Sequence, residues 1–241
     1  MSPSHLLSAL ALSLVACAAQ AVTPTHLYLM DDASDQMGGP AITGGGGTFG
    51  VSAYGQVGYQ FTANQSLLLT GVVPDSVYTI DFSYAFTDTS GYRKLVDFKN
   101  ESSDDGLYNL NAALNFYPVA TGTASLAADQ LARVTITRDA SGLFTGYVNG
   151  VQQFSFTDSS TLATFSGAST VARFFQDDTV TGGREASGGF VDYLRIYDVA
   201  LSAGEVAALG NPSPVPEPGT WALMAGGLGL LAARRLARAR H

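Results

Sequence analysis

The chain has 241 residues with 20 acidic and 12 basic side chains, one cysteine, one tryptophan and eleven tyrosines. The lone Cys17 excludes a disulfide framework, so stability must come from a hydrophobic core. Between Val22 and Pro214 eight basic residues face nineteen acidic ones, a net of −11, which repels phosphate backbones and excludes nucleic acid as a partner.

Residues 1–21 read as a secretory signal peptide. Leu6–Ala16 is apolar, and Ala19 and Ala21 form an A-x-A cleavage site that starts the mature chain at Val22. The leader carries no Lys or Arg. "LVAC" at Leu14–Cys17 also resembles a lipoprotein box, which leaves lipidation of Cys17 as an alternative.

Residues 22–210 read as one domain, strand-rich almost throughout. "HLYLM", "VGYQF" and "SLLLT" come first, and "ITGGGGTFG" (Ile42–Gly50) between them is expected to be a flexible loop. That loop lacks the lysine and following helix that cradle a phosphate. "VYTIDFSYAFT" alternates Ile80, Phe82, Tyr84 and Phe86 with Thr79, Asp81, Ser83 and Ala85, which predicts one buried face and one outward face carrying Asp81. "RKLVDF" and "ALNFYPV" follow. "ARVTITRDASGLFTGYVNGVQQFSF" predicts a three-strand meander whose second turn, Asn149-Gly150, suits a two-residue type I′ hairpin. "TVARFF" and "FVDYLRIYD" complete the strands, with Asp192 bonding backbone near the start of the last one. "LSAGEVAAL" is the one helix: Ser202 caps it, Glu205 completes a capping box, and Val206 and Leu209 share a face.

Residues 211–219 form a Pro-rich, extended linker. In residues 220–241, Trp221–Ala233 is uncharged, spans about 20 Å as a helix against a hydrocarbon core of about 30 Å, and ends in Arg234, Arg235, Arg238 and Arg240. A helix that enters a bilayer but spans it poorly suits a processing enzyme, and the arginines stay cytoplasmic.

Pro216-Glu217-Pro218, the short apolar helix and the arginine cluster together resemble the PEP-CTERM sorting signal. That resemblance implies export, transient insertion into the inner membrane, and cleavage near Glu217 by an exosortase. Its expected destination is the cell surface or extracellular matrix of a Gram-negative bacterium. A permanent anchor is the alternative.

A second resemblance rests on Gly189, Val191, Asp192, Leu194, Arg195, Ile196, Tyr197, Ala200, Leu201, Ser202, Glu205 and Val206. This strand-into-helix run is similar to the end of laminin G-like domains of the concanavalin A-like superfamily, and "GYVNGVQQ" resembles their hairpin. It implies an all-β fold, an antiparallel β-sandwich jelly roll, with rim loops that often carry calcium and ligand contacts.

Catalytic residues are not expected. His26 is the one histidine between the two terminal segments, leaving neither a Ser–His nor a Cys–His set. Glycan cleavage by paired carboxylates stays open as an alternative, although the family's E-x-D-x-x-E pattern is missing. Calcium is the candidate cofactor. Asp31, Asp32 and Asp35, Asp104 and Asp105, and Asp177 and Asp178 put hard oxygen ligands into turns. The same residues are ordinary turn formers. The resemblance places Asp177 and Asp178 near the rim, which makes them the preferred metal ligands. Tyr54, Tyr59, Tyr92 and Tyr108 lie near loops and are the candidates for stacking on sugar, with packing as the competing role. The expected work is non-catalytic binding of an extracellular polysaccharide or other matrix component. A purely structural matrix protein is the further alternative.

Overall fold

The computed structural model describes residues 22–165 and 171–212. Ala19 and Ala21, Cys17, the motif Pro216-Glu217-Pro218 and Arg234 and Arg235 lie outside the described residues. Among the described residues no helix is long and apolar enough to cross a membrane.

The first half of the chain supplies β1 (His26–Tyr28), β2 (Thr43–Gly44), β3 (Thr48–Ala53), β4 (Gln56–Phe61), β5 (Leu67–Thr70), β6 (Tyr78–Phe86), β7 (Tyr92–Asp97) and β8 (Gly106–Leu110). There follow β9 (Ala113–Tyr117), β10 (Ala120–Ser125), β11 (Ala132–Arg138), β12 (Leu143–Val148), β13 (Val151–Thr157), β14 (Val171–Phe174), β15 (Gly189–Tyr197) and α1 (Ala203–Ala208). Two antiparallel sheets result. One runs β13-β12-β11-β6-β15-β4-β3 with β1 also paired to β15, and the other β10-β9-β8-β7-β14-β5-β2. This is the expected β-sandwich. The meander is present, and the turn after Val148 closes on Val151 with Asn149 and Gly150 at φ 50° and 81°. Positive φ at both central residues matches the right-handed twist of the flanking strands.

The core lies between the sheets. Ile80, Phe82, Tyr84 and Phe86 of β6 meet Leu95, Val96, Leu107, Phe116, Phe174 and Phe175 from the other sheet, and the Phe82 and Phe175 rings stand edge to face at 5.7 Å. Rings so packed contribute beyond the area they bury.

The outward face expected for β6 is also buried, since all nine of its residues are buried. The reason is the C-terminal segment, which folds over the first sheet. Tyr147, Tyr197, Leu201 and Val206 form a second apolar cluster there. Asp81 is fully buried rather than outward: its carboxylate accepts from Arg195 Nε at 2.7 Å and from Thr135 Oγ1. Arg133 reaches the carbonyls of Val206 and Leu209, and Arg195 that of Gly210 at 2.9 Å. Ser202 and Glu205 form the expected capping box.

Two further expectations are corrected. The glycine run is not loop throughout, since Thr43–Gly44 and Thr48–Ala53 pair with β5 and β4. Gly47 is needed there because a Cβ would fall 2.5 Å from Gln60 O and 2.6 Å from the Tyr59 ring. Asp192 does not tie backbone at a strand start. It is the bulge residue of β15, and its half-buried carboxyl is pushed up by burial.

Candidate functional site

Strand alternation decides which side chains leave the core. In β8 and β9, Leu107 and Phe116 point inward, so Tyr108, Asn115 and Tyr117 lie on the opposite face of the second sheet. Lys94 of β7 is directly opposite Tyr108, and Tyr92 lies two residues away on the same face. Gly106 leaves room for both: a Cβ there would lie 3.4 Å from Lys94 Cε and 3.6 Å from Tyr108.

The three tyrosines form one cluster. Tyr92 meets Tyr108 edge to face at 5.3 Å and Tyr117 at 5.7 Å. Tyr108 is fully buried as the floor, whereas Tyr92 and Tyr117 keep partly exposed rings. The Tyr108 hydroxyl donates to Asp104, with the carbonyl oxygen at 2.7 Å and Oδ1 at 3.0 Å. Burial, then the charge of Asp104, pushes that phenol far up, so it stays a proton donor.

Below them is a buried charge cluster. Lys94 has no exposed side-chain surface, and its Nζ lies 4.8 Å from the Tyr108 ring centroid. The ammonium donates to Asp178 Oδ2 and lies 3.9 Å from Asp97 Oδ2 and 4.0 Å from Asp177 Oδ1. All three carboxylates are buried, and those of Asp97 and Asp177 each keep one oxygen without a hydrogen bond. Burial pushes the Asp97 carboxyl up. Burial is also the largest influence on Asp178, but the bond and charge of Lys94 together with the backbone N–H groups of Thr181 and Val180 outweigh it and hold that carboxyl below the usual range.

Asp177 and Asp178 also shape the loop before β15. Asp178 Oδ1 accepts from Val180 N and Thr181 N at 2.8 and 2.9 Å, and Asp177 Oδ2 from Glu185 N at 2.9 Å. Lys94 N donates to Glu185 O at 2.7 Å, which closes the loop onto β7. Glu185 is thereby held, half-exposed, beside the tyrosines. Its carboxyl is raised by burial first, then by Asp104 and Asp177.

The preferred metal ligands therefore face an ammonium. Calcium takes six to eight oxygens at about 2.3–2.6 Å, and Lys94 sits where such an ion would bridge Asp97, Asp177 and Asp178. Among the described residues no group of three or more His, Cys, Asp or Glu is arranged to hold a metal ion. The donor set as folded thus fits a lysine better than calcium. Asp35 of the first acidic turn accepts from Leu27 N, Met37 N, Gly39 N and the His26 ring, whereas Asp31 and Asp32 are exposed. Of the four candidate tyrosines, Tyr92 and Tyr108 come together. Tyr59 is buried in the core, and Tyr54 is an exposed ring packed on Phe190 and bonded to Asp129, away from the other three. Sequence reasoning missed Tyr117, Lys94 and Asp97. The register that aligns them is set by β8, whose strand "GLYNL" was not foreseen.

A separate hollow of about 260 Å³ lies against the first sheet, lined by Leu29, Asp31, Gln56, Val57, Asp192 and Tyr193 together with Asn211 and Pro212. Its one aromatic ring, Tyr193, is buried and offers no stacking surface.

Two packed antiparallel sheets with an aromatic and acidic cluster on one outer face define a lectin-like β-sandwich. Residues 71–207 match the Concanavalin A-like lectin/glucanases superfamily in its laminin G form, and the chain belongs to that superfamily. Residues 214–240 match the PEP-CTERM protein-sorting motif, which marks an exported protein sorted to the cell envelope. No curated protein matches the chain. Domain 4 of AbnA, an extracellular arabinanase from Geobacillus stearothermophilus in complex with arabinotriose, is 22% identical with a TM-score of 0.54, over 77% of this chain and 97% of that one. The binding domain of botulinum neurotoxin serotype D is 12% identical (TM-score 0.56), and the match covers 77% of this chain but 50% of that one. A Trypanosoma rangeli sialidase is 13% identical (TM-score 0.59), over 79% of this chain and 33% of the sialidase. At these identities the likeness is one of fold.

Proposed function

We propose that this protein is a non-catalytic glycan-binding module of the extracellular matrix or cell surface, and that its binding face is the Tyr92–Tyr108–Tyr117 cluster. The observation that carries this reading is three edge-packed rings on an outer sheet face, two of them partly exposed, with the polar groups of Asp104 and Glu185 beside them. Rings supply the apolar contact that a sugar ring needs, and fixed carboxyls supply acceptors for its hydroxyls. The similar fold of AbnA domain 4, in complex with arabinotriose, supports the reading. The polysaccharide is the partner on the outside and an exosortase the partner during export, cutting near Glu217 after transient insertion of residues 220–241.

The test is titration of the purified chain against a panel of soluble polysaccharides, with calcium and with chelator. Saturable binding that survives chelation and weakens at least about tenfold in Tyr92→Ala and Tyr117→Ala is expected, since an aromatic platform can contribute about 1–3 kcal/mol. Calcium-dependent binding would restore Asp177 and Asp178 as metal ligands. Binding untouched by the tyrosine substitutions would remove this face from consideration.

The adjacency of Glu185 and Asp104 favours one second reading, glycan cleavage. A carboxyl raised by burial with a second carboxyl beside it is the arrangement of an acid and its partner. Release of reducing ends from any bound glycan, abolished in Glu185→Gln, would establish it.

A further inference from the structure

The charge around the tyrosine face is unbalanced in a definite direction. Three buried carboxylates, on Asp97, Asp177 and Asp178, share the single Lys94 ammonium, and two of their oxygens have no hydrogen bond. At the rim, Asp104 and Glu185 are half-exposed and add further negative charge. The nearby cations do not offset it. Arg93 is spent on Asp88 and Ser90, and the exposed Arg184 makes no ion pair with either rim carboxyl among the described residues. Lys94 itself is sealed beneath Tyr108 and has no surface to offer a ligand. A ligand resting on Tyr92 and Tyr117 therefore meets an uncompensated negative field. That field is stronger than the same charges would make in water, because the site is partly desolvated.

We infer that this face selects glycans bearing free amines, hexosamine units whose ammonium sits between Asp104 and Glu185, over neutral glycans, and turns away uronates. The inference rests on the glycan-binding reading of the same site and adds its substrate class. The rings of Tyr92 and Tyr117 carry the sugar body. The rim carboxylates take the ammonium by charge-assisted hydrogen bonds, which are roughly twice as strong as neutral ones. The upward shift of the Glu185 carboxyl agrees with this, since a cation brought beside it would relieve the repulsion that burial and Asp104 impose.

The test uses the purified full-length chain, at about pH 6 where carboxylates and sugar amines are both largely charged. It measures the affinity of a glucosamine hexamer, its N-acetylated counterpart and a galacturonate hexamer. The glucosamine hexamer should bind about tenfold tighter than the acetylated one, and the galacturonate hexamer weakest. The double variant Asp104→Asn with Glu185→Gln should bring the ratio between the first two to about one. Should that variant misfold, salt on the native chain decides instead. Raising ionic strength from about 0.05 to 0.5 M should weaken the glucosamine hexamer selectively, as screening requires. Equal binding of the two hexosamines, or tight binding of the uronate, would overturn the selectivity and leave the glycan-binding reading standing. A chain that binds a neutral arabino-oligosaccharide but no hexosamine would do the same. Failure to bind any glycan would end both.

Discussion

Lys94 has no exposed surface, and its ammonium stands among three carboxylates that are themselves sealed from water. Replacing a buried cation leaves anions that only protonation can relieve. Lys94→Met should therefore cost about 3–5 kcal/mol of unfolding free energy, read from the denaturant midpoint. Adding Asp178→Asn to that variant should recover part of the loss, because the partner charge is then gone too, and a double-mutant cycle measures the coupling. Full additivity of the two changes would show that the contact is not energetically real. Glu185 behaves in the opposite sense. Its carboxyl is raised in the folded state, so ionising it costs more in the fold than in the unfolded chain. Below the ordinary carboxylate range both states are protonated and nothing is lost, whereas stability falls as pH rises through the ordinary and then the raised value. Glu185→Gln should therefore melt higher than the native chain at neutral pH, with the gap closing as pH falls towards about 4. A gap that widened on acidification would contradict the shift.

The strand-to-helix unit at the end of the domain was the most legible element. Ser202 and Glu205 stand three residues apart, and that spacing alone specifies two reciprocal hydrogen bonds at a helix start, which the structure contains. Ser202→Ala should cost about 1 kcal/mol in thermal or denaturant unfolding. A change within measurement error would mean that α1 is held by Val206 and by the carbonyl contacts of Arg133 rather than by its cap. β6 was legible only in part. Its period-two pattern correctly marked Ile80, Phe82, Tyr84 and Phe86 as core, but could not reveal that α1 and residues 209–210 would cover the other face. Alternation reports polarity, and Asp81 is polar yet buried, because Arg195 and Thr135 arrive from neighbouring strands to satisfy it. β3, β8 and β10 escaped notice for a related reason. "TFGVSA", "GLYNL" and "ATGTAS" carry too little hydrophobic alternation to stand out, and strand neighbours rather than composition hold them in the sheets.

For the protein taken whole, export and binding are separable. On the proposed reading the lectin-like domain carries the ligand and the tail matched to the sorting motif carries the address. Changing Glu217 to Ala in the producing cell should leave a membrane-retained precursor of full length, detected by immunoblot of fractionated cells, without altering glycan affinity. Normal release of that variant would detach the motif from processing.

What the amino-acid order determined by itself was whatever depends on near neighbours. This covers the antiparallel meander with its Asn149-Gly150 turn, the capping box, the terminal sorting motif, and the exclusion of an intramolecular disulfide. These follow from backbone geometry, charge balance and spacing over a few residues. The tertiary structure alone decided the candidate site. Tyr92, Tyr108 and Tyr117 come from three strands, and Asp177 and Asp178 from a loop some 80 positions beyond Lys94. Only cross-strand register brings them onto one face. It also turned two apparent metal ligands toward an ammonium, because a buried lysine needs carboxylates as much as a cation site does, and a sequence of aspartates does not say which positive charge will reach them first.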